Sequence, residues 1–302
     1  MVPEPIVLHA PAKLNLGLRV GGRRDDGMHQ IASLFVPLLL GDRITVGTVR
    51  EPPVGGADQV VCPAVSGPNI VEPALAALRR GGWRGPPLRV EIEKRIPIAA
   101  GLGGGSADAA ALLSIAATEA GGIARRALPR AQVAEIALRL GADVPSQLSP
   151  RAQLVGGIGE VFEPTPAPRS LGVVLIPNPE GLGAGQVYAT ADRLGSTISA
   201  TELARASERM RALSANSGWD PRDTPEAMVN DLEPAACALR PAIAEVLEIL
   251  REIGAGVAAV SGSGPTVYGL FDDRAAAEIA AAALPNRYAA AIVTAIDPGV
   301  GR

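Results

Sequence analysis

The sequence is poor in histidine and cysteine, and these and other absences exclude whole classes of protein. The 302 residues include two cysteines and two histidines, too few for a structural zinc site. The formal net charge is −3, so no basic field is available to hold a nucleic-acid backbone. No apolar run approaches the ~20 residues of a membrane helix, and no signal peptide is visible. We therefore expect a cytoplasmic protein with reduced thiols and with neither nucleic-acid nor membrane partners.

Lysine is also scarce. Of the 28 basic residues only Lys13 and Lys94 are lysines, and the rest are arginines. A lysine that persists in such an arginine-rich chain suggests a need for a compact point charge, which a planar guanidinium cannot replace.

Length and hydrophobic pattern predict two domains of α+β class. Hydrophobic residues make up 47% of the chain and charged residues 20%, which is typical of a globular protein. Runs of predicted strands are separated by predicted helices, and we place the boundary between residues 1–160 and 161–302. Residues 88–93 alternate apolar and polar as a half-buried strand does, and Gly41-Asp42 is predicted to turn between strands 31–40 and 43–49. Helices are predicted over 107–117, 131–140, 201–213 and 241–253, with Thr201 as the N-cap of the third.

The glycine run GLGGGS at residues 101–106 is the strongest single motif. It lies between the predicted strand 88–93 and the predicted helix 107–117. Glycines let backbone N–H groups crowd around an anion, and a helix N-terminus adds a favourable dipole, so the run predicts a phosphate cradle. Neither lysine follows a glycine, which excludes a Walker A loop, and the G-x-G-x-x-S spacing makes a dinucleotide fingerprint weak. The Ser106 hydroxyl is placed to contact a phosphate or help hold Mg²⁺.

Three other segments have plain explanations when each is taken alone. PAKLN at residues 11–15 puts Lys13 and Asn15 on one face of a strand, as an ordinary edge strand would. LGADVP at 140–145 places Asp143 just after a helix, where turn carboxylates are common. SGSGPT at 261–266 reads as a tight turn of small residues.

Taken together and in this order, the four segments resemble the motif set of the GHMP kinase superfamily. The pattern P-x-x-x-G-L-G-G-G-S begins at Pro97, and SGSGPT resembles the C-terminal motif of that superfamily. Within it, APAKLNLGLRVGGRRDDGMHQIASLF, KRIPIAAGLGGGSADAAALL and LGADVP resemble the family of 4-diphosphocytidyl-2-C-methyl-D-erythritol kinases. The resemblance covers nearly the whole chain and is weakest over residues 50–85 and 180–240.

The resemblance implies a fold and a reaction. The fold is a two-domain GHMP architecture, with a ribosomal-protein-S5-like N-terminal domain and a ferredoxin-like C-terminal domain that enclose ATP and substrate between them. The reaction is ATP- and Mg²⁺-dependent phosphorylation of the 2-hydroxyl of a cytidine-diphosphate-linked methylerythritol, in the non-mevalonate route to isoprenoid precursors. It also implies a monomer or weak homodimer. The residues implied to hold ATP are Pro97, Gly101, Leu102, Gly103, Gly104, Gly105, Ser106 and Ala107, with Ser106 also a metal ligand.

Two positions match the catalytic residues of the family. Lys13 matches the lysine that stabilises charge on the transferring phosphoryl group. Asp143 matches the aspartate that orients the acceptor hydroxyl and takes its proton.

Four further positions are implied to bind the substrate: Asn15, Met28, His29 and Tyr188. His29 matches a histidine that reads the cytosine edge, and Tyr188 falls near a stacking aromatic. Met28 stands where the family usually has tyrosine, and Ser146-Gln147 follow D-V-P where the family often has aromatic residues. Both departures touch substrate recognition and leave phosphoryl transfer intact.

Two alternatives stay open at this point. One is another GHMP enzyme, such as a homoserine kinase or a diphosphomevalonate decarboxylase, against which the K-x-N and D-G-M-H segments argue. The other is a non-catalytic nucleotide-binding homologue, against which the presence of both Lys13 and Asp143 argues.

Overall fold

A computed structural model describes residues 4–49, 57–117, 127–178 and 180–299. Within these residues the chain forms ten β-strands and nine α-helices. The strands are β1 (Ile6–Arg23), β2 (His29–Thr48), β3 (Gln59–Val61), β4 (Leu88–Glu93), β5 (Gln153–Gly156), β6 (Val161–Pro164), β7 (Gly172–Ile176), β8 (Val257–Val260), β9 (Val267–Phe271) and β10 (Ile292–Ala295). The helices are α1 (Val71–Arg80), α2 (Gly104–Ala116), α3 (Arg130–Leu140), α4 (Val144–Gln147), α5 (Ala184–Leu194), α6 (Ala200–Leu213), α7 (Glu233–Leu239), α8 (Ala242–Glu252) and α9 (Arg274–Ala282).

The chain forms two compact units whose segments alternate along the sequence. Unit 1 comprises Met1–Ala12, Leu40–Ile98 and Gly103–Ser149. Unit 2 comprises Lys13–Leu39, Ala99–Leu102 and Pro150–Arg302. The long strands β1 and β2 therefore contribute residues to both units, and the domain boundary near residue 160 stays a prediction.

Unit 1 is a small sheet covered by helices. Its central strand β4 pairs antiparallel with the second half of β2, with Thr48 opposite Leu88, and parallel with β3. β4 alternates buried and exposed residues along its whole length, as its sequence predicts. Helices α1, α2 and α3 pack on one another. The buried core they share includes Ala10, Ile44, Leu78, Trp83, Leu112 and Ile136.

Unit 2 contains a four-stranded antiparallel sheet in the order β10–β7–β9–β8. Numbered along the chain this order is fourth, first, third, second, the arrangement of a ferredoxin-like fold, with α8 and α9 packed on the sheet. Helix α8 confirms the helix predicted near 241–253, and its apolar face is buried, with Ile243, Val246, Leu247 and Leu250 in the core. The first half of β2 pairs with β5, and β5 pairs with β6.

The turn predicted at Gly41-Asp42 is wrong, because β2 runs through both residues without a break. Glycine is required at position 41 for a close approach, since a Cβ there would lie 2.2 Å from Cε1 of His9. Asp42 is fully buried and accepts hydrogen bonds from residues more than fifty positions away, which a local reading of Gly-Asp cannot detect.

The cap predicted at Thr201 is also wrong. Helix α6 begins at Ala200, and Ser199 caps it in a capping box with Glu202. Thr201 lies inside the first turn.

The α+β class predicted from the sequence is confirmed by both units. None of the described helices combines the length and apolarity needed to cross a bilayer.

Candidate active site

Lys13 and Asn15 lie on one face of β1 in unit 2, as strand alternation predicts. The Lys13 ammonium donates to Asn15 Oδ1 at 2.6 Å and lies 4.7 Å from the centre of the Phe35 ring. Asn15 Nδ2 donates to Ser33 Oγ at 3.0 Å, and Ser33 Oγ donates in turn to the carbonyl of Gly17. Only 7% of Lys13 and 3% of Asn15 is exposed, which excludes a solvated edge strand. The Asn15 carboxamide thus orients a buried ammonium.

Two loops lie near this lysine within unit 2. One is the first glycine-rich loop, through Gly101 and Leu102, and the other is the SGSGPT loop at residues 261–266. The backbone N–H of Lys13 donates to the backbone carbonyl of Leu102 at 3.0 Å. Gly101 has φ +75°, and a Cβ there would lie 2.7 Å from the carbonyl oxygen of Ser261. A Cβ at Gly262 would lie 3.3 Å from Asn15 Oδ1 and 3.5 Å from Lys13 Nζ. Glycine at position 101 lets the two loops touch, and glycine at position 262 lets the second loop approach the Lys13 ammonium.

Residues 230–233, which were not singled out from the sequence, hold the SGSGPT loop in place by hydrogen bonds. Asn230 Nδ2 donates to the carbonyls of Val260 and Gly262, each at 2.8 Å, and its Oδ1 accepts the N–H of Leu232. Glu233 Oε2 accepts the N–H of Val260 at 3.0 Å. Burial raises the pKa of Glu233 above its usual value, against the opposing effects of that hydrogen bond and of Arg251.

Helix α2 in unit 1 begins at Gly104, with Gly103 as its N-cap at φ +70°. The Ala107 N–H returns to the Gly103 carbonyl, so the N–H groups of the preceding turn point out of the helix end. Gly105 is exposed, and a Cβ there would meet only Ile70 at 3.5 Å. This end has no acidic residue in its first turn and no side-chain cap. An N-terminus with open donors of this kind fits a phosphate group.

Asp143 precedes α4 in unit 1. Its carboxylate does not cap that helix, although its backbone carbonyl accepts the Ser146 hydroxyl at 2.8 Å. The ordinary explanation of this residue, a carboxylate that closes a turn by capping it, does not apply. Ser146 and Gln147, which stand where aromatic residues were expected from the resemblance, are both buried.

His29 and Tyr188 meet in unit 2, where β2 begins beside α5. Their ring centroids are 5.0 Å apart with a tilt of 31°. His29 is 8% exposed, and its Nε2 lies 2.9 Å from Oδ1 of Asp192, one helical turn beyond Tyr188. Met28 is 46% exposed, and its N–H donates to Asp26 Oδ1. The structure thus brings two of the three residues predicted to surround a base into contact and adds Asp192 as a partner.

A Mg²⁺ ion would depend on few protein ligands. In the described part of the chain no three His, Cys, Asp or Glu side chains are grouped as a metal site. The half-buried Ser106 in the first turn of α2 offers one hydroxyl. One hydroxyl suits an ion that takes its other ligands from nucleotide phosphates and water.

Two family models match the chain. The GHMP kinases N terminal domain matches residues 69–151, and the GHMP kinases C terminal model matches residues 203–290. A protein of Mesorhizobium japonicum named 4-diphosphocytidyl-2-C-methyl-D-erythritol kinase is 40% identical over 92% of this chain and 91% of its own length. One of the same name from Anaeromyxobacter dehalogenans is 39% identical over 93% of this chain and 86% of its own.

The chain belongs to the 4-diphosphocytidyl-2-C-methyl-D-erythritol kinase family of GHMP kinases.

Solved structures agree with this family. A crystal structure of 4-(cytidine 5'-diphospho)-2C-methyl-D-erythritol kinase is similar to this chain with a TM-score of 0.72 and 30% identity, over 97% of this chain and all of that one. A homoserine kinase from Cytophaga hutchinsonii has a TM-score of 0.70 at 19% identity, over 97% of this chain and 95% of that one. The second likeness shows the shared GHMP fold alone.

Several polar residues around the predicted site were not identified from the sequence of this GHMP kinase. Asn230, Asp192 and Ser33 act through hydrogen bonds to positions 18 to 163 residues away. The one usable signal was the N-D-L-E string at residues 230–233, in which two polar residues that are costly to bury adjoin an apolar helix.

Proposed function

We propose that this chain transfers the γ-phosphoryl group of ATP to the 2-hydroxyl of 4-diphosphocytidyl-2-C-methyl-D-erythritol. The observation that carries the proposal is the buried Lys13 ammonium, oriented by Asn15 and approached by the backbone at Gly262 within unit 2. An ammonium held in this way supplies charge stabilisation without reorganising when the reaction occurs.

Lys13 acts on the charge that develops during transfer. Its Nζ is proposed to contact the γ-phosphoryl oxygens while residues 97–107 hold the ATP phosphates through backbone N–H groups. Asn15 contributes by accepting from that ammonium, so its effect on the acceptor end is exerted through Lys13. Because the ammonium is already fixed by hydrogen bonding, little conformational freedom is lost in the transition state.

Asp143 is proposed to orient the acceptor hydroxyl and to take its proton. The acceptor is a tertiary alcohol, which is crowded and weakly acidic, so a carboxylate must hold its oxygen in line with the phosphoryl group. Its place in the LGADVP segment, which matches the aspartate of the family, supports this role.

His29, Tyr188 and Met28 are proposed to receive the cytosine. Asp192 accepts from His29 Nε2 in the tautomer that carries the proton there, which leaves Nδ1 as an acceptor for the exocyclic amine of cytosine. Tyr188 offers a ring for stacking, and the polarizable sulfur of Met28 replaces a second ring.

Mg²⁺ is proposed to accompany ATP, with the Ser106 hydroxyl as its protein ligand and with charge neutralisation on the phosphates as its contribution. The cytoplasmic location and the monomeric or weakly dimeric state stay predictions.

The test is an ADP-release assay with ATP, Mg²⁺ and a panel of acceptors that contains 4-diphosphocytidyl-2-C-methyl-D-erythritol, homoserine and mevalonate diphosphate. We expect turnover with the cytidyl substrate alone. Turnover of homoserine without turnover of the cytidyl substrate would reject the proposal. The Asp143→Asn variant tests the role of the carboxylate. It keeps the shape of the side chain, so it should lose turnover while it still binds ATP.

A further inference from the structure

Lys94, the second lysine of the chain, lies at the end of β4 where the chain enters the glycine loop, and nothing above gives it a role. Its side chain is 8% exposed. The ammonium donates to Asp108 Oδ2 at 2.8 Å and forms an ion pair with Asp42. Burial alone would lower the pKa of Lys94, but the two carboxylates outweigh burial and raise it. The ammonium is therefore held in its charged form, while burial raises the pKa of Asp108 to about 7 against the opposing effect of Lys94.

Asp42 ties this cluster to the entry of the loop. It lies in β2 and is fully buried. Its Oδ1 accepts the backbone N–H of Arg95 at 2.6 Å and that of Ile96 at 2.8 Å, the two residues that follow Lys94. One carboxylate thus fixes the backbone of two consecutive residues, and the side chain of the residue before them, at the point where β4 becomes the loop.

Asp108 ties the same ammonium to the exit of the loop. It lies in the second turn of α2, is 2% exposed, and its Oδ1 has no hydrogen-bond partner among the described residues. The two ends also pack closely, because a Cβ at Gly104 would lie 3.0 Å from Cγ2 of Ile96 and 3.3 Å from Nζ of Lys94. The chain that enters the loop and the helix that leaves it are therefore joined through Lys94.

We propose that Lys94, Asp42 and Asp108 form a clamp that sets the separation of the two ends of the phosphate loop and so acts on ATP affinity, not on the chemical step. The clamp rests on the proposed role of residues 97–107 in holding ATP. Burying two carboxylates and one ammonium is costly, and an apolar cluster of equal volume would often be more stable. What the ions add is direction, because their hydrogen bonds connect three elements: β2, the residues that follow β4, and helix α2.

The identity of the cation supports this role. The ammonium presents three donors on one compact centre, which can reach carboxylates from two elements at once. A planar guanidinium is larger and presents its donors in a fixed fork, so it needs more room between the two carboxylates. In a chain with 28 basic residues and only two lysines, the use of lysine here follows from that geometry.

The decisive experiment measures the affinity for ATP with Mg²⁺ by calorimetry, together with KM for both substrates and kcat, in Asp108→Asn and Lys94→Arg. We expect the Kd and KM for ATP to rise by about tenfold, equivalent to about 1.4 kcal/mol, through loss of a charged hydrogen bond. We expect kcat at saturating ATP and the KM for the acceptor to stay within about twofold. Lys94→Met should raise the Kd further. If it fails to fold, Asp108→Asn, which keeps the side-chain shape, carries the test alone.

Asp58→Asn is the matched control. Asp58 also lies in unit 1, pairs with Arg79, and accepts a backbone N–H, that of Leu88 at the opposite end of β4. We expect no change in the Kd for ATP in this variant. An ATP Kd within twofold of the parent in Asp108→Asn, an equal rise in Asp58→Asn, or a parallel loss of kcat and both KM values would each overturn the clamp.

The readout also separates this inference from the proposed function. If the parent protein binds ATP but does not phosphorylate the cytidyl substrate, the substrate assignment fails, while the Kd for ATP still decides the clamp.

Discussion

The two glycine-rich loops of the chain are held by different chemistry. The ends of the first, around residues 97–103, are held by the charged clamp of Lys94, Asp42 and Asp108. The second, SGSGPT at residues 261–266, is held mainly by the neutral carboxamide of Asn230, whose two donors end on two loop carbonyls. A charged clamp gives strong, directed bonds at a high cost of burial, whereas an amide satisfies donors and acceptors at a lower cost. The first arrangement suits a loop that must hold an anion, and the second suits a loop that must keep its own shape.

The largest effect should come from the lysine that lies beside both loops. Lys13→Met removes an ammonium from the transition state, so we expect kcat to fall by about 10²–10³-fold. The Kd for ATP should change much less, the reverse of the pattern expected for Lys94. Steady-state kinetics and calorimetry on both variants check this contrast. A Lys13→Met enzyme with normal kcat and weak ATP binding would remove the distinction between the two lysines.

Gly101→Ala should come next, because it disturbs the point at which the two loops touch. The new Cβ would lie 2.7 Å from the Ser261 carbonyl oxygen and 2.8 Å from that of Gly264, at a φ of +75°. Backbone strain and this clash should destabilise the fold by about 3 kcal/mol or more. Gly262→Ala is the control, since its φ is also positive but its nearest contact is 3.3 Å, so it should cost about 1–2 kcal/mol. Urea unfolding measures both, and equal costs would contradict the close approach.

Asn230→Ala should destabilise the protein by about 2 kcal/mol, because buried carbonyls at Val260 and Gly262 lose their donor. Asn230→Asp tests the neutrality of this anchor. An ionised carboxylate faces two carbonyl oxygens and repels them, so the variant should recover part of its stability as the pH falls and the carboxyl gains a donor. Unfolding curves at several pH values give the answer, and a loss of stability that does not change with pH would contradict charge repulsion as its cause.

The smallest effect should be the pH dependence contributed by Glu233. Burial raises its pKa in the folded state, so the folded protein binds this proton more tightly than the unfolded chain does. The stabilisation is complete below the unfolded value near 4.5 and is lost as the pH rises through the raised folded value. Glu233→Gln keeps an acceptor for the Val260 N–H and should remove this part of the slope. An unchanged slope of unfolding free energy against pH between the parent and the variant would contradict the assignment.

Local hydrophobic patterns predicted individual strands and helices correctly. Residues whose partners are distant in the sequence were not predicted. The alternation in β4 and the apolar face of α8 were sufficient to define those elements, because each follows from one period of hydrophobicity. Gly41-Asp42 was mistaken for a turn because both residues serve partners elsewhere, the ring of His9 and the backbone of residues 95 and 96. Ser199 was overlooked at this helix start, although the S-x-x-E spacing of Ser199 and Glu202 is the sequence signature of a capping box.

Some residues of the candidate site were predicted from local sequence, and others were not. Lys13 and Asn15 were placed on one face by strand geometry alone, and the 2.6 Å contact confirms it. Asp192, Asn230 and Lys94 could not be assigned from the sequence, because each is defined by side-chain bonds that close only when the chain folds. Met28 differs from the tyrosine usual in the family, and the effect of that difference on cytidine binding stays a prediction.

The strand that carries Lys13 has a consequence for protein synthesis. The hydroxyl of Tyr268 donates to the carbonyl of Asn15, 253 residues earlier, and also reaches that of Leu16. At roughly 5–20 residues per second, the ribosome makes Tyr268 roughly 10–50 s after Asn15. During that interval β1 lacks its bonds to β9, although earlier partners such as Ser33 and Phe35 are already made, and the incomplete unit is exposed to misassembly or to chaperones. The lysine proposed to act in catalysis is therefore among the first residues made, and its strand completes its hydrogen bonds only near the end of synthesis.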